Sequence, residues 1–247
     1  ADLYNDRLRL LELPLDFAIL DLSLTNLTPD LSFFSYENGK KVLNKAQMDR
    51  AEKFTQDCKR LDVDLLNENR YTPQQYLEDI RNYVQKCTQP NKAAGKHVTC
   101  LTRWSEKYDA GGPQALTDGV CGILNYNFNW LGFEGQNLDA IIDLDSIQNI
   151  NEISMDFYYC PLSWIFIPVR VTYYVSDDQM KWHQAGYISY QNEVNLLESK
   201  IVKMKLENLH QKGRFVRVQA QSLLTNPAWH RGFGQPCWIF TDEIIVR

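Results

Sequence analysis

The chain has 247 residues, 44% of them hydrophobic and 23% charged, a globular composition long enough for one large core or two modest ones. With 26 basic against 31 acidic residues, a net charge of −5 and no Lys/Arg run, it lacks the means to neutralise a row of phosphates, so nucleic acid is excluded as the expected partner. No apolar run approaches the ~20 residues needed to cross a bilayer, and the opening ADLYND holds neither an initiator methionine nor a signal peptide, which leads us to expect a piece of a longer protein.

Up to about residue 90 the hydrophobic period is helical. In NDRLRLLELPLDFAILDL, Leu8, Leu11, Leu15 and Ile19 fall on one helical face, and Pro14 predicts a kink or break. Ala51, Phe54, Cys58 and Leu61 repeat the stripe in the next segment. A third helix begins at Thr72, which can cap it; Pro73 suits its first turn and Gln75 completes a T-x-x-Q capping box. Its core stripe is expected to be Tyr76, Ile80, Tyr83 or Val84, and Cys87. The stretch TQPNKAAGK, residues 88–96, has no period and reads as a linker.

Beyond the linker the period becomes two. Ile153, Met155, Phe157 and Tyr159 alternate with Ser154, Asp156 and Tyr158, and Val202, Met204 and Leu206 alternate with lysines. Val169, Val171, Tyr173 and Val175, then Val216, Val218 and Ala220, continue the habit. About eight short strands between turn-rich loops predict an antiparallel β-sandwich. The fold class expected is therefore multi-domain α+β: a helical segment over residues 1–90, followed by a sandwich over 96–247.

The six cysteines are scattered with no CxxC pair and no Cys/His cluster at zinc spacing. Six free thiols are one reading; Cys58 with Cys87 is the pair to test for a disulfide. Catalytic signatures are missing as well: there is no G-x-S-x-G, H-E-x-x-H, Walker A or G-x-G-x-x-G, and the four histidines lie far apart. Asp16, Asp21 and Glu68 in the helical half are adequately explained as solvated surface acids. The reading is non-catalytic, with any catalytic domain upstream.

The order LTDG, NWLGFEG, AIIDLDS, WIFIP, VTYYVSDDQMKW, RFVRVQA and CWIFTDEIIV resembles a discoidin module, the coagulation factor V/VIII C-terminal type with a galactose-binding-like jelly roll. LTDG, W-x-GFEG and the terminal WIF-x-DEI are more narrowly similar to carbohydrate-binding modules appended to secreted bacterial glycosidase-like proteins. The helical front then resembles the truncated end of the preceding glycosidase-like region. The resemblance implies a structural calcium ion, with Asp118 in the D-G turn and Glu243 near the chain end as its acidic ligands. Calcium takes six to eight hard oxygens. Val120 and Cys121 depart from the family's pattern, so main-chain oxygens would have to complete the set; a plain turn without an ion is the alternative.

Sugar recognition needs an aromatic face for the C–H side of a pyranose and planar or charged groups for its hydroxyls. The loop NPAWHRGFGQPCW supplies Asn226, Trp229, His230 and Arg231, each of which also has a purely structural reading. Trp164, Asn127 and Asn129 are the second rank, whereas Trp130 and Phe133 are expected in the core. The function expected is non-catalytic carbohydrate binding within a secreted, periplasmic or cell-surface bacterial glycan-degrading protein, with a glycan and an upstream catalytic domain as partners. A ligand-free spacer packed on that upstream domain is the alternative. Membrane-lipid binding ranks last, because the chain is acidic and lacks apolar spikes ringed by bases.

Overall fold

The computed structural model describes residues 2–25, 29–37, 40–68, 71–194 and 197–247. The chain divides into two compact units, Ala1–Gln89 and Pro90–Arg247. Among the described residues no helix is long and apolar enough to cross a membrane.

The first unit holds α1 (Asp2–Ser23), a hairpin of β1 (Phe34–Glu37) and β2 (Lys40–Leu43), then α2 (Lys45–Arg60) and α3 (Pro73–Cys87). The hairpin was not expected, although Asn38-Gly39 is a strong hairpin signal in the sequence. α3 starts as expected: the Gln75 N–H donates to Thr72 Oγ1 at 3.2 Å and the Thr72 N–H to Gln75 Oε1 at 2.9 Å. Tyr76, Leu77, Ile80 and Tyr83 are its buried face, while Ala51, Phe54 and Cys58 are that of α2. Thr72→Ala is expected to cost this unit about 1 kcal/mol, measured by urea denaturation; an unchanged midpoint would mean that water replaces the cap.

α1 departs from the expected buried stripe. It runs through Pro14 without a break, and Leu8, Leu11 and Leu15 point away from this unit's core, at 46%, 75% and 65% exposure. Leu13 and Leu20 are buried instead. The seam with α2 is partly ionic: Arg9 binds Asp57 of α2 at 2.7 Å, and Asp16, which Arg9 also holds at 2.6 Å, faces Arg50 of α2 at 3.8 Å. α1 carries two apolar stripes, and the stripe that also carries these charges is the one facing the acids and bases of α2. The cysteines are free, Cys58 and Cys87 included.

The second unit is an antiparallel sandwich. One sheet has the order β3 (Val98–Cys100), β5 (Leu138–Ile150), β10 (Gln211–Gln221), β7 (Arg170–Ser176), β8 (His183–Ser189). The other is ordered β4 (Leu131–Glu134), β11 (Trp238–Val246), β6 (Ile153–Tyr159), β9 (Lys200–Leu206). The alternating residues read from sequence are the inward ones: Ile153, Met155, Phe157 and Tyr159 meet Val171, Tyr173, Val175, Val216 and Val218 in one core. β6 is buried along its whole length, because its outer residue Tyr158 joins a second cluster with Trp130, Cys160, Ile165 and Phe240.

The expected linker is partly a component of this sandwich. Asn91 donates to the Ile244 carbonyl at 3.0 Å and accepts from the Val246 N–H at 2.9 Å, and Ala93 is fully buried in the core. Small residues suit this place because the chain passes close against the end of β11.

Candidate functional site

The segment LTDGVCGILNYNFNWLGFEG packs along the outer layer of the four-stranded sheet. Trp130 is its anchor: buried, with its indole N–H donating to the Ile123 carbonyl at 2.9 Å and its ring tilted on Tyr158. Gly122 passes directly over that ring, where a Cβ would lie 2.2 Å from the indole. Phe133 is fully buried, so both W-x-GF aromatics are core residues, as the sequence implies. Glycine is needed at 119 for a different reason, its φ of 83°.

The D-G turn faces a bulge in β11. Thr241 pairs with Phe157 and Ile244 with Met155, so β11 carries one extra residue there. This turns Asp242 and Glu243 inward, both buried. Asp242 accepts from the Gly122 N–H at 2.7 Å and Glu243 from the Gly119 N–H at 2.5 Å, while Asp118 accepts from the Val120 N–H at 2.7 Å. Burial, and then the charge of Asp118, push the Glu243 carboxyl well above the usual carboxylate range, against the pull of the Gly119 N–H. Among the described residues no group of three or more His, Cys, Asp or Glu side chains is arranged to hold a metal. The half-buried Asp118 and the buried Glu243 nevertheless form an acid pair whose repulsion a hard cation would relieve. The residues fit calcium in charge and in donor type, with main-chain oxygens needed to complete its shell.

A groove of about 240 Å³ opens on the outer face of the same sheet, walled by Tyr108, Tyr126, Ser163, Trp164, Trp238 and Phe240. Its floor follows from strand alternation: Trp238 and Phe240 point outward while Ile239 points into the sandwich core. Tyr108 packs on Phe240 and Trp238 at centroid distances of 4.8 and 5.3 Å, and Tyr126 stands edge-on to Tyr108. Trp164 closes one end in a left-handed conformation, φ 68°, rare for a bulky side chain. Two backbone hydrogen bonds hold it there: its N–H donates to the Pro161 carbonyl at 2.8 Å, and its carbonyl accepts from the Trp238 N–H at 2.9 Å.

The loop 226–238 supports this wall more than it offers ligands. Asn226, 1% exposed, donates to the Gln235 and Pro236 carbonyls. His230, 3% exposed, accepts from the Gly232 N–H at Nδ1, which leaves Nε2–H to donate to the Pro161 carbonyl at 2.9 Å. These two candidates are therefore braces, corrected from ligand to scaffold because no side-chain surface is left for a sugar. Trp229 is half-buried against Phe166 and His230 and packs on the sandwich core. Asn129 is tied to the Cys121 carbonyl at 3.1 Å, and Asn127 is exposed on the turn begun by Asn125. Arg231 is exposed and donates to the carbonyl of Leu162, which also lines the groove. Of the seven sugar-binding candidates, Trp164 and Arg231 are thus the two placed at the groove.

Tyr108, Tyr126, Trp238 and Phe240 were not singled out from sequence. The available signal was the alternation of CWIFTDEI, which already places Trp238 and Phe240 on the face opposite Ile239.

No family model matches the chain, and no curated protein matches it. Solved structures do. Chitosan-binding module 1 of a chitosanase/glucanase from Paenibacillus sp. IK-5 is 16% identical, with a TM-score of 0.42 over 64% of this chain and 99% of that one. A fucose-binding module from Streptococcus pneumoniae is 16% identical, with a TM-score of 0.38 over 64% and 94%. The lectin domain of lectinolysin, complexed with Lewis B antigen, is 11% identical, with a TM-score of 0.40 over 64% and 96%.

Proposed function

We propose that the Pro90–Arg247 unit is a carbohydrate-binding module whose ligand lies in the aromatic groove. One observation carries this reading: half-buried rings of Tyr108, Tyr126, Trp164 and Trp238 converge on an open depression, with Ser163 and Arg231 at its margin. Aromatic walls suit the C–H faces of a pyranose, and hydroxyl and guanidinium groups suit its oxygens. The D-G turn and acid pair add a structural calcium ion to the proposal, held by Asp118 and Glu243. The motif resemblance extends it to a secreted bacterial parent carrying an upstream glycosidase-like domain. A ligand-free spacer would have this end filled by side chains, and the open groove favours binding over that alternative.

The test is retention on glycan affinity gels and a glycan array, with the heat-denatured chain as control. Trp164→Ala is expected to weaken binding about tenfold, the ~1.4 kcal/mol of one well-placed aromatic contact. Retention no better than the denatured control across the array would defeat the reading.

A further inference from the structure

Two exposed cations neighbour residues that line the groove. Arg231 makes one hydrogen bond, to the Leu162 carbonyl at 3.3 Å, and among the described residues no carboxylate lies within ion-pair distance of it. Lys107 sits 4.9 Å from the ring centre of Tyr108, one wall of the groove, likewise without an ion pair among the described residues. Elsewhere in the sandwich Arg103, Arg214, Arg217 and Arg247 each hold a carboxylate, at 2.8, 2.7, 2.6 and 3.2 Å, whereas Arg170 lies over the Tyr187 ring. Glu134, opposite Trp238 in the strand register, is near enough for Lys107 to feel its charge yet makes no ion pair with it.

We propose that the groove selects glycans bearing an acidic substituent, a sugar carboxylate or a sulfate ester, with the Arg231 guanidinium as the anion fork and Lys107 as a second, point-charge contact. The inference rests on the carbohydrate reading and adds the ligand's charge. A guanidinium presents two parallel N–H donors to a planar carboxylate or to two sulfate oxygens, a geometry that neutral hydroxyls use less fully. The aromatic wall fixes the sugar ring, and the anion fixes its orientation.

The test is calorimetric titration of the whole chain with matched pairs: oligogalacturonate against its methyl ester, sialyllactose against lactose, and 6-sulfated against unsulfated N-acetyllactosamine. The first two pairs probe carboxylate and the third sulfate. The acidic member of at least one pair should bind about tenfold tighter at low salt, with the advantage shrinking at ~0.5 M salt. In the Arg231→Ala and Lys107→Ala double variant, the acidic-to-neutral affinity ratio should fall to about one. Both side chains are exposed, so an unchanged melting temperature checks that the variant folds. Neutral members bound as well as acidic ones would overturn the charge selection and leave the carbohydrate reading standing, as would a ratio unaffected by the double variant. Failure to bind either member of any pair, together with an empty glycan array, would remove both.

Discussion

Gly122→Ala is expected to destabilise the sandwich by about 3 kcal/mol, seen as a fall of about 6–12 °C in its melting transition. The added Cβ would sit 2.2 Å from one indole carbon of Trp130 and 2.3 Å from another. The ring has nowhere to go, because its N–H is held by the Ile123 carbonyl and its face by Tyr158, 5.3 Å away. The Gly122 N–H is committed too, to Asp242 at 2.7 Å, so the backbone cannot lift without breaking a bond to a buried carboxylate. Calorimetry of the full chain resolves the effect, and Trp130→Phe supplies the control. In the double variant the smaller ring should accept the methyl, giving a loss smaller than the sum of the two single losses. Strict additivity would show that the collision does not set the cost.

This collision accounts for the glycine at 122 beside the buried Trp130. The inward face of β6 follows from strict alternation of Ile153, Met155, Phe157 and Tyr159, since a slip of one residue would put Ser154, Asp156 and Tyr158 into the sandwich core in their place. The capping box of α3 is equally local, three residues apart and reciprocal. α1 was misread because Leu8, Leu11 and Leu15 satisfy the helical period as well as Leu13, Phe17 and Leu20 do. Periodicity cannot choose between two stripes; the partner helix chooses, and here Arg50 and Asp57 of α2 favour the stripe bearing Arg9 and Asp16.

The groove was illegible for a different reason. Tyr108, Tyr126, Trp164 and Trp238 are spread over more than half the sandwich's length, and they meet only because the 101–130 segment lies across the outer face of β11. Asn226 and His230 have the chemistry of sugar ligands, and that chemistry is spent on backbone groups: a loop that turns back on itself leaves buried carbonyls and N–H groups, which side chains of this type satisfy. The bulge at Asp242 and Glu243 has no sequence signature at all, yet it delivers the acids to the D-G turn.

Calcium is expected to raise the melting temperature of the sandwich by about 5–10 °C at a concentration some hundredfold above its Kd, with a chelator reversing the gain. The reasoning begins from the acid pair. Glu243 is buried, accepts from Gly119 and Asn91, faces Asp118, and has Asp242 beside it in the chain. With the ion chelated, the folded state favours a proton on Glu243 that the unfolded chain releases. Its folded pKa lies above the ordinary 4.5, so this stabilisation is complete below about pH 4.5 and is lost as pH rises through the folded value. An ion takes the proton's place at neutral pH, so calcium should flatten that decline. Glu243→Gln keeps the shape and removes the charge: in chelator it should melt at or above the wild-type temperature, and calcium should not raise it further. A wild-type melting temperature indifferent to both calcium and chelator would leave the pair sharing a proton and the D-G turn a turn without an ion.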